Sequence, residues 1–311
     1  MTAPAPIGVI GQYNLLERLE PAGPGDLYRA RDTRYGRTVA LRLLPASETA
    51  DAAARAALIA QARALMHLSH PNAITLFDVG EHDGRVYLAF EFLKGQSLRA
   101  EIAGRQMNVR RAAEIAIQMA DAIAEAHAAG FLHGGLSPES VVITARGHAK
   151  IPAFELAAHA GFVDTGGRSR LLDYDAPEEA RGEPPDERSD VYSVGAVLYE
   201  MLTTRRPLHR GASAPSASNA HVPPDLDAVV LKAVSPNPSS RQAAAATLAA
   251  ELRAVMPMID AREDGDLTLP AGFLSRPLFL RRGLAGELPR PLLVVLIVFA
   301  VLAALMVWLT R

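Results

Sequence analysis

Cysteine is absent from this 311-residue chain. Its absence excludes disulfides, thiolate nucleophiles and cysteine-ligated metals, and it suits a cytosolic domain. Aromatic residues are scarce at 5 %, so the 49 % hydrophobic content leans heavily on alanine. Neither sign of charge dominates. The net charge is −2, so bulk electrostatics points to no nucleic acid or acidic polymer as partner. The nine histidines follow no His-x-His or His-Glu-x-x-His spacing, and no metal centre is expected from them. Arg110-Arg111 and Arg281-Arg282 are too short to mark a nucleic-acid site. Met1 to Gln12 lacks a basic stretch followed by an apolar run, so no signal peptide is visible. There is no internal repeat.

One long apolar run is present. Leu292 to Leu309 is an 18-residue stretch without charge. As a helix it would measure roughly 27 Å, close to the ~30 Å hydrocarbon core of a bilayer. It is apolar all round, whereas a helix at a domain surface is amphipathic. It therefore reads as a transmembrane helix over 292–309. Arg281, Arg282 and Arg290 precede it and Arg311 follows, which keeps the N-terminal side in the cytoplasm and suggests a tail anchor in the inner membrane. The same arginines could touch anionic lipid head groups.

The remaining length suits one large two-lobed domain or two small ones. After an N-terminal arm over 1–12, residues 13–93 read as a strand-rich unit with one helix. Val39 to Leu44 is a short apolar strand closed by Pro45, and Arg85 to Phe92 is another strand after a turn at Asp83-Gly84. Glu48 to Leu68 places Leu58, Ala62, Leu65 and Met66 at helical spacing. From 94 to 256 the chain turns helical. Arg110 to Ala129 carries Ile115, Met119, Ala122 and Ala126 on one face and stops at Gly130. Asp190 to Thr203 is strongly apolar, and Gln242 to Val255 is a final amphipathic helix. Gly211 to Asn219 reads as an exposed loop, and 257–291, rich in proline and mixed charge, as a juxtamembrane linker.

Several short signatures stand in a telling order. They are Tyr28-Arg29-Ala30-Arg31-Asp32, His70-Pro71-Asn72, the run Ala126 to His133, Ala176-Pro177-Glu178 and Ser189 to Gly195. Together, over about 13–255, they resemble the bacterial eukaryotic-like (Hanks-type) serine/threonine protein kinases. The resemblance implies an α+β, two-lobed protein-kinase-like fold, with a small β-rich N-lobe and a larger helical C-lobe.

Phosphoryl transfer rests on positioning and charge neutralisation. Phosphates need a close glycine loop, a cation and Mg²⁺, and the accepting hydroxyl needs a carboxylate beside it. On the family pattern, the glycine-loop positions fall at Glu20, Ala22 and Gly25, so only the third glycine is kept. The strand-three lysine falls at Arg42, which keeps the charge in a longer, forked form. Its helix partner, normally glutamate, is Gln61. The catalytic loop reads His133-Gly134-Gly135-Leu136-Ser137-Pro138-Glu139-Ser140, with Gly135 at the catalytic aspartate, Ser137 at the following lysine and Ser140 at the metal-binding asparagine. The Asp-Phe-Gly motif falls at Ala153-Phe154-Glu155. Alanine cannot ligate Mg²⁺, and Glu155 follows the phenylalanine and should project elsewhere. Leu171 stands at the threonine that helps place a serine or threonine substrate. Thr165 and Ser169 are the hydroxyls of the activation segment, where a phosphate would lack the catalytic-loop arginine as partner.

Other matched positions are structural. Leu65, Leu76, His133 and Phe154 fall on the side-chain stack that links the lobes, with His133 a packed core histidine. Glu178 and Arg241 fall where a buried ion pair ties the activation segment to the large lobe. Asp190 falls where a helix holds the catalytic-loop backbone. Gly25, Leu27, Ala40, Arg42, Phe90 and Val142 line what remains of a nucleotide pocket, with Phe90 at its gatekeeper position.

The expectation from these substitutions is a membrane-tethered pseudokinase, a protein-binding scaffold or allosteric regulator in bacterial signalling or envelope assembly. It would require no cofactor, with ATP binding left open, no Mg²⁺ site and an unnamed protein partner. The competing expectations are a serine/threonine kinase with residual or atypical ATP-dependent activity, and a passive structural subunit of a membrane complex.

Overall fold

The computed structural model describes residues 6–19, 25–46, 51–152, 174–208 and 211–266. Six strands form the antiparallel sheet of the small lobe: β1 (Gly8–Ile10), β2 (Tyr13–Leu19), β3 (Asp26–Asp32), β4 (Arg37–Leu43), β5 (Leu76–His82) and β6 (Arg85–Glu91), ordered β1-β2-β3-β4-β6-β5. The N-terminal arm thus supplies an edge strand, with Gly8 opposite Leu15. Asp83 and Gly84, both at positive φ, make the tight β5–β6 turn that the Asp-Gly pair suggests.

Alternation along β4 decides what each face of the sheet buries. Val39, Leu41 and Leu43 join Tyr13, Leu15 and Ala30 in a small cluster on the outer face. Ala40 and Leu44 join the main core, which runs without a break from the small lobe into the large one. Helix α1 (Ala52–Leu65) closes that inner face with Leu58, Ala62 and Leu65, and its first turn is capped by Asp51.

A second, three-stranded sheet, β7 (Gly95–Ser97), β8 (Val142–Thr144) and β9 (Ala149–Lys150), lies past the crossing between lobes. Around it stand α2 (Leu98–Ile102), α3 (Val109–Ala128), α4 (Pro177–Ala180), α5 (Glu187–Thr203), α6 (Pro224–Ala233) and α7 (Ala245–Asp266). Nearly every residue of α5 is buried, so it is the axis of the large lobe, and Asp186 with Ser189 forms a capping box at its start. Gly195 is needed there, because a Cβ would stand 2.7 Å from the Ala233 Cβ.

Two readings of the sequence are corrected. Helix α7 continues eleven residues past Val255, through Pro257 and into the stretch read as linker. Proline costs one backbone hydrogen bond, but Ile259 stays buried in the core, Arg110 pairs with Asp260, and Arg262 donates to the Val222 carbonyl at 2.7 Å. The loop read as exposed at 211–219 is exposed at Gly211, Ser213, Ala217 and Ser218 but is anchored at Pro215 and Asn219. Asn219 is buried, with Nδ2 donating to the Leu202 carbonyl at 3.0 Å. No helix among the described residues is long and apolar enough to cross a membrane. The membrane span expected over 292–309 lies outside the described residues, as does 267–291.

Candidate active site

The cleft between lobes is built from the inner face of β4. Arg42 sits near the end of β4, opposite Leu27 of β3 and Leu88 of β6, and is fully buried. Alternation puts it on the same face as Ala40, whose cross-strand partner Phe90 is also fully buried. Leu27 packs partly buried against that core. Gln61 is half-buried on α1, beside Ala62. Gly25 stands at φ +87°, and a Cβ there would lie 2.4 Å from the Leu43 carbonyl oxygen. Backbone packing therefore requires glycine at this position whatever it does for a phosphate. Glu20 and Ala22 lie outside the described residues.

The catalytic loop is held from behind. Asp190, in the first turn of α5, accepts hydrogen bonds from the His133 amide at 2.8 Å and the Gly134 amide at 3.0 Å. Its Oδ2 is also 2.8 Å from His127 Nε2, in the last turn of α3. A carboxylate at a helix start and an imidazole at a helix end both suit the helix dipoles. Burial works against the charge on Asp190, but His127, His133 and the two amides hold its carboxyl below the usual range. Burial pushes the His133 ring down to about 4, against the pull of Asp190. His133 is therefore neutral near pH 7 and packs in the core, 1 % exposed.

In front of this support the loop carries little side-chain chemistry. Gly134 is at φ +61° and Gly135 at φ +157°, and no atom lies within 4 Å of where a Cβ would stand on either. The Ser140 hydroxyl turns inward, donating to the Ser137 carbonyl at 2.9 Å and accepting from the Ser137 amide at 3.2 Å. Buried and engaged in its own turn, a neutral hydroxyl there does not fit a Mg²⁺ ligand. No cluster of metal-binding side chains occurs among the described residues. Ala153, Phe154, Glu155 and Leu171 lie outside them. Val142 is half-buried on β8, opposite Ser97 and Lys150.

The frame around the loop is densely bonded. Leu65 and Leu76 are buried in the core shared by both lobes. Arg241 grips Glu178 with two hydrogen bonds, 2.6 Å and 2.8 Å, and both side chains are buried. Burial opposes the Glu178 charge, but Arg241 holds its carboxyl below the usual range. Glu179 has no such partner among the described residues. Burial, with Asp175, Asp190 and Glu178 nearby, pushes its carboxyl up to about 7.

A second network was not apparent in the sequence. Arg99 of α2 donates to Glu139 of the catalytic loop at 2.8 Å and to Glu200 of α5 at 2.7 Å. Its guanidinium also reaches the Tyr174 hydroxyl, which bonds to Glu200 as well. This joins helix, loop and the end of the activation segment at one point. The members lie 40, 75 and 101 residues from Arg99 along the chain, so no local spacing could reveal them.

A family model described as the protein kinase domain matches residues 16–257. The chain belongs to the protein kinase family. It is 32 % identical over 310 residues to serine/threonine-protein kinase PknB of Mycobacterium tuberculosis, an alignment covering 89 % of this chain and 49 % of that protein. With PknD of the same organism it shares 33 % identity over 257 residues, covering 77 % and 39 %. With pkn3 of Myxococcus xanthus it shares 30 % over 273 residues, covering 78 % and 50 %. The chain thus spans half or less of the length of these curated relatives. In fold it is similar to the kinase domain of M. tuberculosis PknI, with a TM-score of 0.65 at 23 % identity over 82 % of this chain and 99 % of that one.

These relatives overturn the scaffold expectation. Proteins 30–33 % identical over most of the chain are named serine/threonine-protein kinases, which favours the kinase alternative over a protein-binding scaffold without phosphoryl transfer. The substitutions at Gly135, Ser137 and Ser140 do not by themselves exclude transfer. Loss of a positioned base lowers a rate by about 10²–10⁴ and leaves the contribution of positioning in place.

Proposed function

We propose that this chain is a serine/threonine protein kinase domain with atypical, slow ATP-dependent activity, tethered to the cytoplasmic face of a membrane by residues 292–309. The observation that carries the reading is the intact support of the catalytic loop by Asp190, with His133 and Gly134 amides at 2.8 Å and 3.0 Å, in a chain whose relatives are named kinases. ATP would supply the phosphoryl group. Arg42 would face its phosphates, and Ala40, Leu27 and Phe90 would form the apolar side of the cleft. Because phosphoryl transfer draws mainly on positioning and electrostatics, a site with a fixed loop and a buried cation retains part of the catalysis when the base is missing. The Ser140 geometry does not suit Mg²⁺, so the proposal assigns no step to a metal.

The test is transfer of labelled γ-phosphate to a generic basic protein by the full chain, followed over hours, beside Arg42→Ala. Slow transfer that Arg42→Ala removes supports the reading. Incorporation equal in both proteins, or absent from both, refutes it.

A further inference from the structure

Between the Pro71-Asn72 turn, α3 and the β8–β9 hairpin is a pocket of about 650 Å³. That is within the range of sites that hold a ligand or several side chains, roughly 300–1,000 Å³. Its floor is built. Asn72 donates to Gln118 Oε1 at 3.0 Å and to the Ala149 carbonyl at 2.8 Å, and Gln118 Oε1 also accepts the Ala149 amide at 2.8 Å. This ties the Pro71-Asn72 turn, α3 and β9 together.

The walls carry charge of one sign. Lys94, Arg146, His148 and Lys150 line the pocket, and no carboxylate does so among the described residues. Lys150 is neutralised by Glu91 at 2.8 Å. Lys94 and Arg146 make no ion pair among the described residues, and both are exposed. The Ala145 amide donates to the Lys94 carbonyl at 3.3 Å, so the fold sets these two cations on adjoining segments. Like charges held together without a counter-charge repel, and an anionic ligand relieves that repulsion.

We infer that this pocket binds an acidic peptide segment of a partner protein. A peptide fits better than a single anion for two reasons. The cations come from three separate segments, the linker between lobes, the β8–β9 turn and β9. The space between them is faced by Pro71 and the stems of long side chains, which suits apolar residues alternating with carboxylates. The inference does not depend on phosphoryl transfer.

The experiment uses the full chain in mild detergent and a fluorescein-labelled octapeptide of alternating leucine and glutamate, read by anisotropy. The expected result is binding that weakens about ten-fold or more in Lys94→Glu/Arg146→Glu and falls between about 50 mM and about 500 mM salt. The analogue with glutamine in place of glutamate should bind at least about ten-fold more weakly. Both substituted residues are exposed, so an unchanged melting temperature verifies the fold of the variant. Equal binding by parent and variant, equal binding of both peptides, or no binding at all overturns the inference. Complete displacement by millimolar inorganic phosphate also overturns it, since the site would then belong to a free anion.

Discussion

Arg241→Ala is the perturbation whose cost can be worked most fully from the structure. Arg241 makes two hydrogen bonds to Glu178, at 2.6 Å and 2.8 Å, and three more to the carbonyls of Ser235 at 2.8 Å, Arg188 at 3.0 Å and Pro236 at 3.4 Å. Its guanidinium also lies 4.9 Å from the centre of the Tyr192 ring. Removing it leaves the Glu178 carboxylate buried with Ser189 as its one side-chain donor among the described residues, at 2.9 Å. Breaking a buried pair in this way costs about 3–5 kcal/mol, mostly the penalty of the charge left behind. In a domain of this size about 1 kcal/mol moves Tm by roughly 2–4 °C, so a fall of about 6–20 °C is expected by circular dichroism. Glu178→Ala/Arg241→Ala removes both charges and should cost less than the two single changes together, a coupling of about 1 kcal/mol or more. A single Arg241→Ala variant melting within about 2 °C of the parent would refute this reasoning. It would mean that water or a neighbouring group already solvates Glu178.

Three further outcomes follow from the same geometry. Gly135→Asp restores a carboxylate where a Cβ meets no atom within 4 Å, at a φ of +157° that strains an L residue, and should raise the phosphate-transfer rate by about 10²–10⁴ while lowering the melting temperature; an unchanged rate in the folded variant would show that the loop, not the missing base, limits it. Glu179 has its pKa raised from 4.5 to about 7, so the folded state holds a proton there that the unfolded state has lost. Its contribution to stability is therefore full below pH 4.5 and lost as the pH rises through 7. Urea midpoints should fall over that interval in the parent and fall less in Glu179→Gln. Gly195→Ala drives a methyl to 2.7 Å from the Ala233 Cβ and should cost about 1–3 kcal/mol by parting α5 from α6, measured by urea denaturation.

The two-lobed frame could be read because short motifs with special residues occur in a fixed order. His70-Pro71-Asn72, Ala176-Pro177-Glu178 and the start of α5 each carry a proline turn, a charge or a cap that local chemistry makes visible. Elements outside that order of motifs are harder to see. Helix α6 begins at Pro224 with two aspartates in its first turn, yet it is too short for its periodicity to stand out. The end of α7 was hidden because proline usually stops a helix, and only tertiary contacts at Ile259 and Asp260 carry it onward. At the site, the substitutions themselves were plain, and Ser140 could be named from its place in the loop. Its inward hydroxyl could not, since that depends on how the Ser137 turn closes. The Arg99 network was hidden for the same reason, its charges being brought together only by folding.

Asp190 grips the catalytic loop through amide hydrogens, and an amide is the same whatever side chain its residue bears. The amides it holds are those of His133 and Gly134, whereas Gly134 and Gly135 stand at φ +61° and +157°, so a side chain at either strains the backbone without removing the anchorage. A lineage can change the reacting side chains, losing or regaining reactivity, at a modest cost in backbone strain while the hold of Asp190 stays in place. Stability and chemistry then evolve on separate schedules at neighbouring atoms, and the loop becomes a place where function can be revised without rebuilding the protein.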